Sequence, residues 1–312
     1  MKKIQILCTC AVVLVLFAGC KYDEDYLDPQ EIRPTVYFAS NLAYERTVLP
    51  GEGLQFGIGP ALAGVINNKK DWTVDLQILK GEELPGNRLL LPDDYYNSSE
   101  LSGSIKVTIP KGKYFDYFYV KLDSTKFLND AKAMIGSDPL YALPVKITGT
   151  SAEKINEDRN QVLVGIRYQA SFDGWYLHET TIEREHGGVI SGRTTEKSYA
   201  EDTPVTWRLA TNGPFSVRAT GPTGANFNQG LQFNITVDGG AVRYDAPVAG
   251  QPVVEAISGK ANSYNWETRD FELNFKYVKP DNNDTTYHVS TKLTFRNRMV
   301  DGINHPRHVL VY

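Results

Sequence analysis

The sequence predicts an all-β chain made of two successive units. From Thr35 onward, apolar residues recur at nearly every second position. Such alternation marks strands with one face buried and one solvated, as in antiparallel sheets. The alternating runs are short and end in Gly, Pro or Asn/Asp turns, which is the punctuation of a sandwich or a barrel. At 312 residues the chain also exceeds the ~150 residues of an ordinary domain, so two folding units are expected.

The first 19 residues read as an address rather than as structure. Met1-Lys2-Lys3 is a short basic start, and Ile4 to Phe17 is an apolar run broken only mildly by Gln5 and Thr9. That run is shorter than the ~20 residues needed to cross a bilayer but suits a signal peptide. It ends in Phe17-Ala18-Gly19-Cys20, which resembles a bacterial lipobox, with Phe17 where Leu is usual. The resemblance implies cleavage before Cys20 and lipidation of that residue; the alternative is an ordinary signal peptide with an incidental cysteine. All three cysteines, Cys8, Cys10 and Cys20, lie in the first 20 residues. On the lipoprotein reading the mature chain has no free thiol, disulfide or Cys-ligated metal, and several acyl chains hold it to outer-membrane lipid. Lys21-Tyr22-Asp23-Glu24-Asp25 follows and is similar to the surface-export signal of Bacteroidetes lipoproteins. Residues 20–34 then form a lipidated, acidic tether, and the cell exterior is the expected location.

In Trp72 to Ile78, residues Trp72, Val74, Leu76 and Ile78 share one face. Ile105, Val107 and Ile109 alternate likewise and stop at Pro110-Lys111-Gly112; Phe118, Val120 and Leu122 repeat the pattern, then Leu143, Val145 and Ile147. Ser124 to Ile135 is the one segment with room for a short helix. Gln161 to Tyr168 reads as a further strand, and Ser171-Phe172-Asp173-Gly174 as a junction. This divides the folded part into residues 35–168 and 169–312. In the second part Trp175 opens a strand, Val205, Trp207 and Leu209 alternate, and Leu231 to Val237 runs into the hairpin turn Asp238-Gly239-Gly240. Phe271 to Tyr277 and Tyr287 to Phe295 flank a second tip at 279–284. Eight to ten strands joined by short turns suggest a meander closing into a barrel or a two-sheet sandwich.

Leu91-Pro92-Asp93-Asp94-Tyr95-Tyr96, then Ile105 to Gly112, then Tyr141-Ala142-Leu143-Pro144-Val145-Lys146-Ile147 resemble, in order and spacing, an N-terminal domain of Bacteroidetes surface lipoproteins. The resemblance covers roughly residues 30–168. It implies an immunoglobulin-like β-sandwich and membership of a polysaccharide-utilisation (starch-utilisation-like) system, with an outer-membrane transporter complex as partner. Phe172-Asp173-Gly174-Trp175-Tyr176 is similar to the opening of a companion C-terminal β domain, and superficially to the Gly-x-Trp opening of lipocalins.

Net charge −4 and pI about 5.8 disfavour a nucleic-acid surface, which needs a basic face. The sequence carries no Gly-x-Ser-x-Gly elbow, phosphate loop, dinucleotide fingerprint or His-Glu-x-x-His, so neither an enzyme nor a cofactor is expected. Glu183 and Glu185 share a strand face by simple alternation. His305 and His308 point to opposite faces of a strand and cannot easily meet one ion; Asp281, Asn283 and Asp284 lack the acidic pattern of a Ca²⁺ loop. No metal is expected.

Aromatic side chains remain, because sugars stack C–H faces on flat rings while their hydroxyls seek amides and charges. Trp72 and Trp207 are in phase with core residues, and Trp175 opens a strand at the junction. Trp266 differs, lying in the polar run Asn262-Ser263-Tyr264-Asn265-Trp266-Glu267-Thr268-Arg269. If that run is extended, Tyr264 and Trp266 share a face, with Asn265, Glu267 and Arg269 beside them to hold hydroxyls. The alternative for Trp266 is packing at a barrel rim. The expected function is non-catalytic glycan binding at the cell surface. A structural or adhesion role, a barrel holding a small apolar ligand, and a hydrolase are the competing readings.

Overall fold

The structure is a computed structural model and describes residues 33–40, 43–81, 83–198, 205–221, 231–279 and 282–307. Cys20 and the tether as far as residue 32 lie outside these residues. So do His308, Asp281 and the side chains of Asn283 and Asp284. No described helix is long and apolar enough to cross a membrane.

The chain is almost entirely β. The first eleven strands are β1 (Thr35–Tyr37), β2 (Ala43–Val48), β3 (Gln55–Ile58), β4 (Ala61–Ala63), β5 (Trp72–Ile78), β6 (Arg88–Leu90), β7 (Ile105–Ile109), β8 (Phe118–Lys121), β9 (Leu140–Thr150), β10 (Lys154–Ile155) and β11 (Gln161–Tyr168). The main sheet runs β2-β11-β9-β5-β7, with β6 attached to β9; β10-β1-β4 and β3-β8 form two smaller sheets. β5 and β7 bury alternate residues as their sequences require. β9 and β11 are buried over successive residues, as the middle strands of a covered sheet must be. Not every pairing is antiparallel: β1 with β10, β2 with β11 and β6 with β9 are parallel. Each joins strands far apart in sequence, so alternation alone gives no sign of their direction.

The short helix is a single turn, α1 (Lys126–Asn129). It stops because Asp130 adopts an extended backbone and its carboxylate accepts the Lys132 N–H, restarting the chain as a separate tight turn at Ala131–Ala133. Trp72 is buried at 5 % exposure, and its indole N–H donates to Asn68 Oδ1 at 2.8 Å. The Asn68 amide in turn donates to the carbonyls of Pro110 (2.9 Å) and Lys113 (2.7 Å). One buried amide thereby satisfies the core indole and fixes the turn leading into residues 114–119.

The second set comprises β12 (Gly174–His186), β13 (Val189–Lys197), β14 (Trp207–Gly213), β15 (Ser216–Thr220), β16 (Gln232–Asp238), β17 (Ala241–Tyr244), β18 (Glu255–Ala256), β19 (Ser263–Tyr264), β20 (Phe271–Lys279), β21 (Asn282–Val300) and β22 (Ile303–Pro306). Pairing runs β12-β14-β15-β16-β17-β19-β20-β21 and returns to β12. Of barrel and sandwich, the hydrogen bonds therefore describe a closed ring. It is thinnest between β17 and β19, which share one residue pair. Gly239 and Gly240 take positive φ at the β16–β17 turn, as that tight hairpin demands.

Trp207, Tyr176, Phe271, Phe275 and Phe295 are fully buried inside this ring. They meet edge-on or tilted, Phe233 against Phe275 at 4.9 Å and Tyr176 against Phe295 at 5.5 Å, which is how ring quadrupoles prefer to pack. These rings fill the interior, so the expectation of a barrel that holds a small apolar ligand is corrected: the space is occupied by the protein's own side chains.

The buried apolar residues form two clusters, one ending at Tyr168 and the other starting at Ala170. Polar contacts join them. Glu52, in the β2–β3 turn, accepts from Arg269 (2.8 Å) and from both terminal nitrogens of Arg298 (2.8 and 2.7 Å). Both guanidinium groups are about 95 % buried. Arg298 also donates to the Ser171 carbonyl at 3.1 Å, and the Ser171 hydroxyl donates to the Pro50 carbonyl. Asp301, in the β21–β22 turn, accepts from the Thr47 N–H (3.0 Å) and hydroxyl (2.6 Å).

Burial raises the Glu52 carboxyl, but the hydrogen bonds and charges of Arg298 and Arg269 outweigh it and hold the group below the usual glutamate range. With the folded pKa depressed, this linkage is fully present above the unfolded value and is lost as pH falls through the folded one. Glu52→Gln leaves two buried cations uncompensated and should cost about 3 kcal/mol in urea unfolding at pH 7. The variant should also lose less stability than the parent on acidification below about pH 5; parallel pH curves for the two proteins would contradict this role.

Candidate functional site

The same alternation that buries Phe118 and Val120 turns Tyr117 and Tyr119 outward, at 42 % and 51 % exposure; Phe115, just before β8, is 54 % exposed. The Phe115 and Tyr117 ring centres lie 5.5 Å apart. Two glycines let this segment lie flat on its neighbour. A Cβ on Gly57 would stand 3.0 Å from the Tyr117 ring, and one on Gly59 would stand 1.8 Å from the Asp116 carbonyl oxygen. Tyr114, whose carbonyl accepts the Leu62 N–H at 2.7 Å and whose hydroxyl donates to the Ile66 carbonyl at 2.9 Å, pins the start of the segment.

Beside these rings lies a cleft of about 320 Å³, lined by Phe38, Ala39, Ser40, Tyr44, Arg46, Gly59, Ala61, Phe115 and Tyr117. That is the lower end of the range for small-ligand pockets. Tyr44 and Arg46 are alternate residues of β2, so both face the cleft while Glu45 faces away and pairs with Arg167. The Arg46 guanidinium lies 4.4 Å above the Tyr44 ring. Burial raises the Tyr44 pKa, Arg46 partly offsets this and Tyr117 adds to it. The phenol therefore stays a neutral O–H donor at neutral pH. Ring faces beside a hydroxyl, a guanidinium and backbone carbonyls can hold a ligand with apolar C–H faces and polar edges.

The sequence reading passed over this face, although period-two alternation around Phe118 already contained it. It placed the site at Trp266 instead. The structure gives Tyr264 5 % and Trp266 39 % exposure, with ring centres 5.1 Å apart at 83°. The expected flat, exposed pair is thus an edge-to-face contact. The reason is local: β19 ends at Tyr264, the Asn265 side chain accepts the N–H groups of Glu267 (2.9 Å) and Thr268 (3.0 Å), and Arg269 takes φ +63°. Residues 265–269 form a turn, not a strand. Trp266 packs on Phe172 at 5.8 Å and over Gly51, while Arg269 belongs to the Glu52 linkage. Tyr264, Trp266 and Arg269 are brought together at the junction, Asn265 braces the turn and Glu267 is exposed.

The remaining candidates have structural partners. Glu183 pairs with Arg193 at 3.7 Å and Glu185 with His288 at 2.6 Å. His178 is buried, and burial lowers its pKa. Among the described residues no group of three or more His, Cys, Asp or Glu is placed to hold a metal ion. Asp173 is 2 % exposed; it meets Arg208 at 2.7 Å and accepts from the Thr211 N–H and hydroxyl, both at 2.7 Å. Arg208 covers Trp175 at 4.5 Å, so the Phe172–Tyr176 motif is a folded corner. A larger hollow of about 710 Å³ near Arg88, Glu157 and Asp158 has no aromatic ring in its lining. Within the described residues β13 pairs only with β12, and Lys197 and Arg193 on it are paired across to Glu179 and Glu183.

A family model described as an N-terminal domain matches residues 30–154. The crystal structure of a Bacteroides ovatus protein of unknown function is similar at 18 % identity, covering 88 % of this chain and 98 % of that one, with a TM-score of 0.63. A second B. ovatus protein of unknown function matches at 10 % identity and a TM-score of 0.39, over 88 % of this chain and 97 % of the other. A Bacteroides thetaiotaomicron protein described as an auxiliary nutrient binding protein matches at 11 % and 0.34, over 89 % and 95 %. The first of these shares the fold, across both sets of strands. No curated protein matches the sequence.

Because a methyl group at residue 59 cannot fit beside the Asp116 carbonyl, Gly59→Ala should cost about 2 kcal/mol in urea unfolding and displace the aromatic segment. Unchanged stability would mean that this close approach does not hold the segment in place.

Proposed function

We propose that the protein is a non-catalytic lipoprotein, anchored to the outer membrane through Cys20, that holds polysaccharide outside the cell for an uptake system. The observation that carries this reading is the exposed aromatic row Phe115, Tyr117 and Tyr119 beside the Tyr44–Arg46 cleft. Large rings left in water side by side forgo burial that β8 gives to Phe118 and Val120, and such a patch marks a contact surface. Exposed rings at every second residue from Phe115 to Tyr119, the first two tilted 54° to each other, offer separate faces on which successive sugar rings can stack C–H faces while the cleft takes a polar edge. The acidic run after Cys20 supports its reading as a tether between the lipid anchor and this face.

In this reading the Trp266 turn serves the junction, and the aromatic face serves the ligand. Affinity electrophoresis or titration calorimetry against a broad polysaccharide panel tests it. At least one glycan should retard the folded protein, and Tyr117→Ala should weaken that binding about tenfold, from a stacking contribution of roughly 1.4 kcal/mol. Trp266→Ala should leave affinity unchanged. If folded protein binds no glycan in the panel, the reading fails. On the anchoring side, Cys20→Ala should abolish incorporation of labelled fatty acid and release the protein from the membrane fraction; retention with undiminished label would refute Cys20 as the anchor.

A further inference from the structure

We infer that the saccharide taken by this cleft is anionic, with a uronate carboxylate seated on Arg46; this rests on the cleft being a glycan site. The guanidinium is half-buried against the Tyr44 ring. No carboxylate lies within 4.0 Å of it among the described residues. Its one hydrogen bond there is a long 3.5 Å contact to the Glu45 carbonyl. The carboxylates beside the lining residues in sequence, Glu45 next to Arg46 and Asp116 between Phe115 and Tyr117, have other partners. Glu45 pairs with Arg167, and Asp116 accepts the Tyr117 N–H at 2.9 Å. Arg167, Arg208, Arg269 and Arg298 are each set against an acidic side chain, whereas Arg46 shares with the partly buried Arg88 and Arg159 the lack of an ion pair within 4.0 Å among the described residues. Arg46 is held in a concave, ring-lined place with its hydrogen-bonding edge still open.

The charge balance of the cleft points the same way. Of the lining residues only Arg46 and the phenols of Tyr44 and Tyr117 are ionisable side chains, and burial raises Tyr44 further above the ordinary phenol value. The cleft therefore carries one positive charge in a chain whose net charge is −4. A cation partly removed from water beside apolar rings is costly without a counter-charge. A planar carboxylate can accept two parallel N–H bonds from the guanidinium fork. Stacking on Tyr44 holds the guanidinium plane, while Phe115 and Tyr117 offer faces to the pyranose ring that bears the acid. A neutral hexose would supply the stacking and leave the cation without its partner.

The test uses the folded mature chain at 150 mM NaCl, with polygalacturonate, alginate and hyaluronan and the carboxyl-reduced form of each. Reduction converts each uronate into the corresponding neutral sugar, so stacking is kept and charge is removed. At least one of the three should bind ten times or more tighter than its reduced form. Arg46→Met should bring the native and reduced polymers to equal affinity, and Arg46→Lys should restore only part of the difference. Equal binding of native and reduced polymers, or binding confined to neutral glycans, overturns this inference and leaves the glycan reading standing. A preference that survives Arg46→Met with the protein folded overturns the assignment to Arg46. Absence of binding to every polymer, acidic and neutral, overturns the glycan reading itself.

Discussion

One carboxylate, that of Glu52, lies between two buried guanidinium groups, and the relation between the two sets of strands depends on it. Arg269 comes from the turn between β19 and β20 and Arg298 from β21, and both converge on a turn of the preceding sandwich. Buried arginines without a counter-charge are strongly destabilising, so neither core can pull away from the other without exposing or stranding them. The Ser171–Pro50 and Asp301–Thr47 contacts flank this ion cluster. Trp266 closes over Gly51 at its edge, where the absence of a side chain lets the indole approach.

The aromatic residues fall into populations with different physical roles. Inside the ring, Tyr176, Trp207, Phe271, Phe275 and Phe295 pack edge-on and exclude a ligand. At the junction, Phe172, Tyr264 and Trp266 pack edge-on against one another. Among the described residues, Phe115, Tyr117 and Tyr119, on β8 and the segment just before it, present several rings to solvent together, with a cation and a phenol beside them. Composition cannot separate these groups, because a Tyr in a strand costs the same letters whether it faces in or out.

Much of the fold was legible. Alternation at Trp72–Ile78, Ile105–Ile109 and Phe271–Tyr277 identified strands and their buried faces, since a period of two admits no other regular structure. The hairpin at Asp238-Gly239-Gly240 followed from the need for positive φ. Pairing direction was not legible for β2 with β11, which lie more than a hundred residues apart. The site was half legible. Tyr117 and Tyr119 were outward by the same parity that made Phe118 and Val120 core, yet a local polar run around Trp266 drew the stronger reading. That reading assumed an extended chain; Asn265 capped a turn there and made the parity argument inapplicable.

The sequence by itself determined that the chain is all-β, where most strands lie and which of their side chains are inward, because these follow from local periodicity and turn chemistry. Only the tertiary structure decided that the second set of strands closes on itself around a filled core, that Arg269 answers to Glu52 rather than to a ligand, and that Tyr44 and Arg46 meet Phe115 and Tyr117 across a cleft. Each of these depends on residues brought together from distant parts of the chain, and no local pattern encodes which distant partner a side chain will meet.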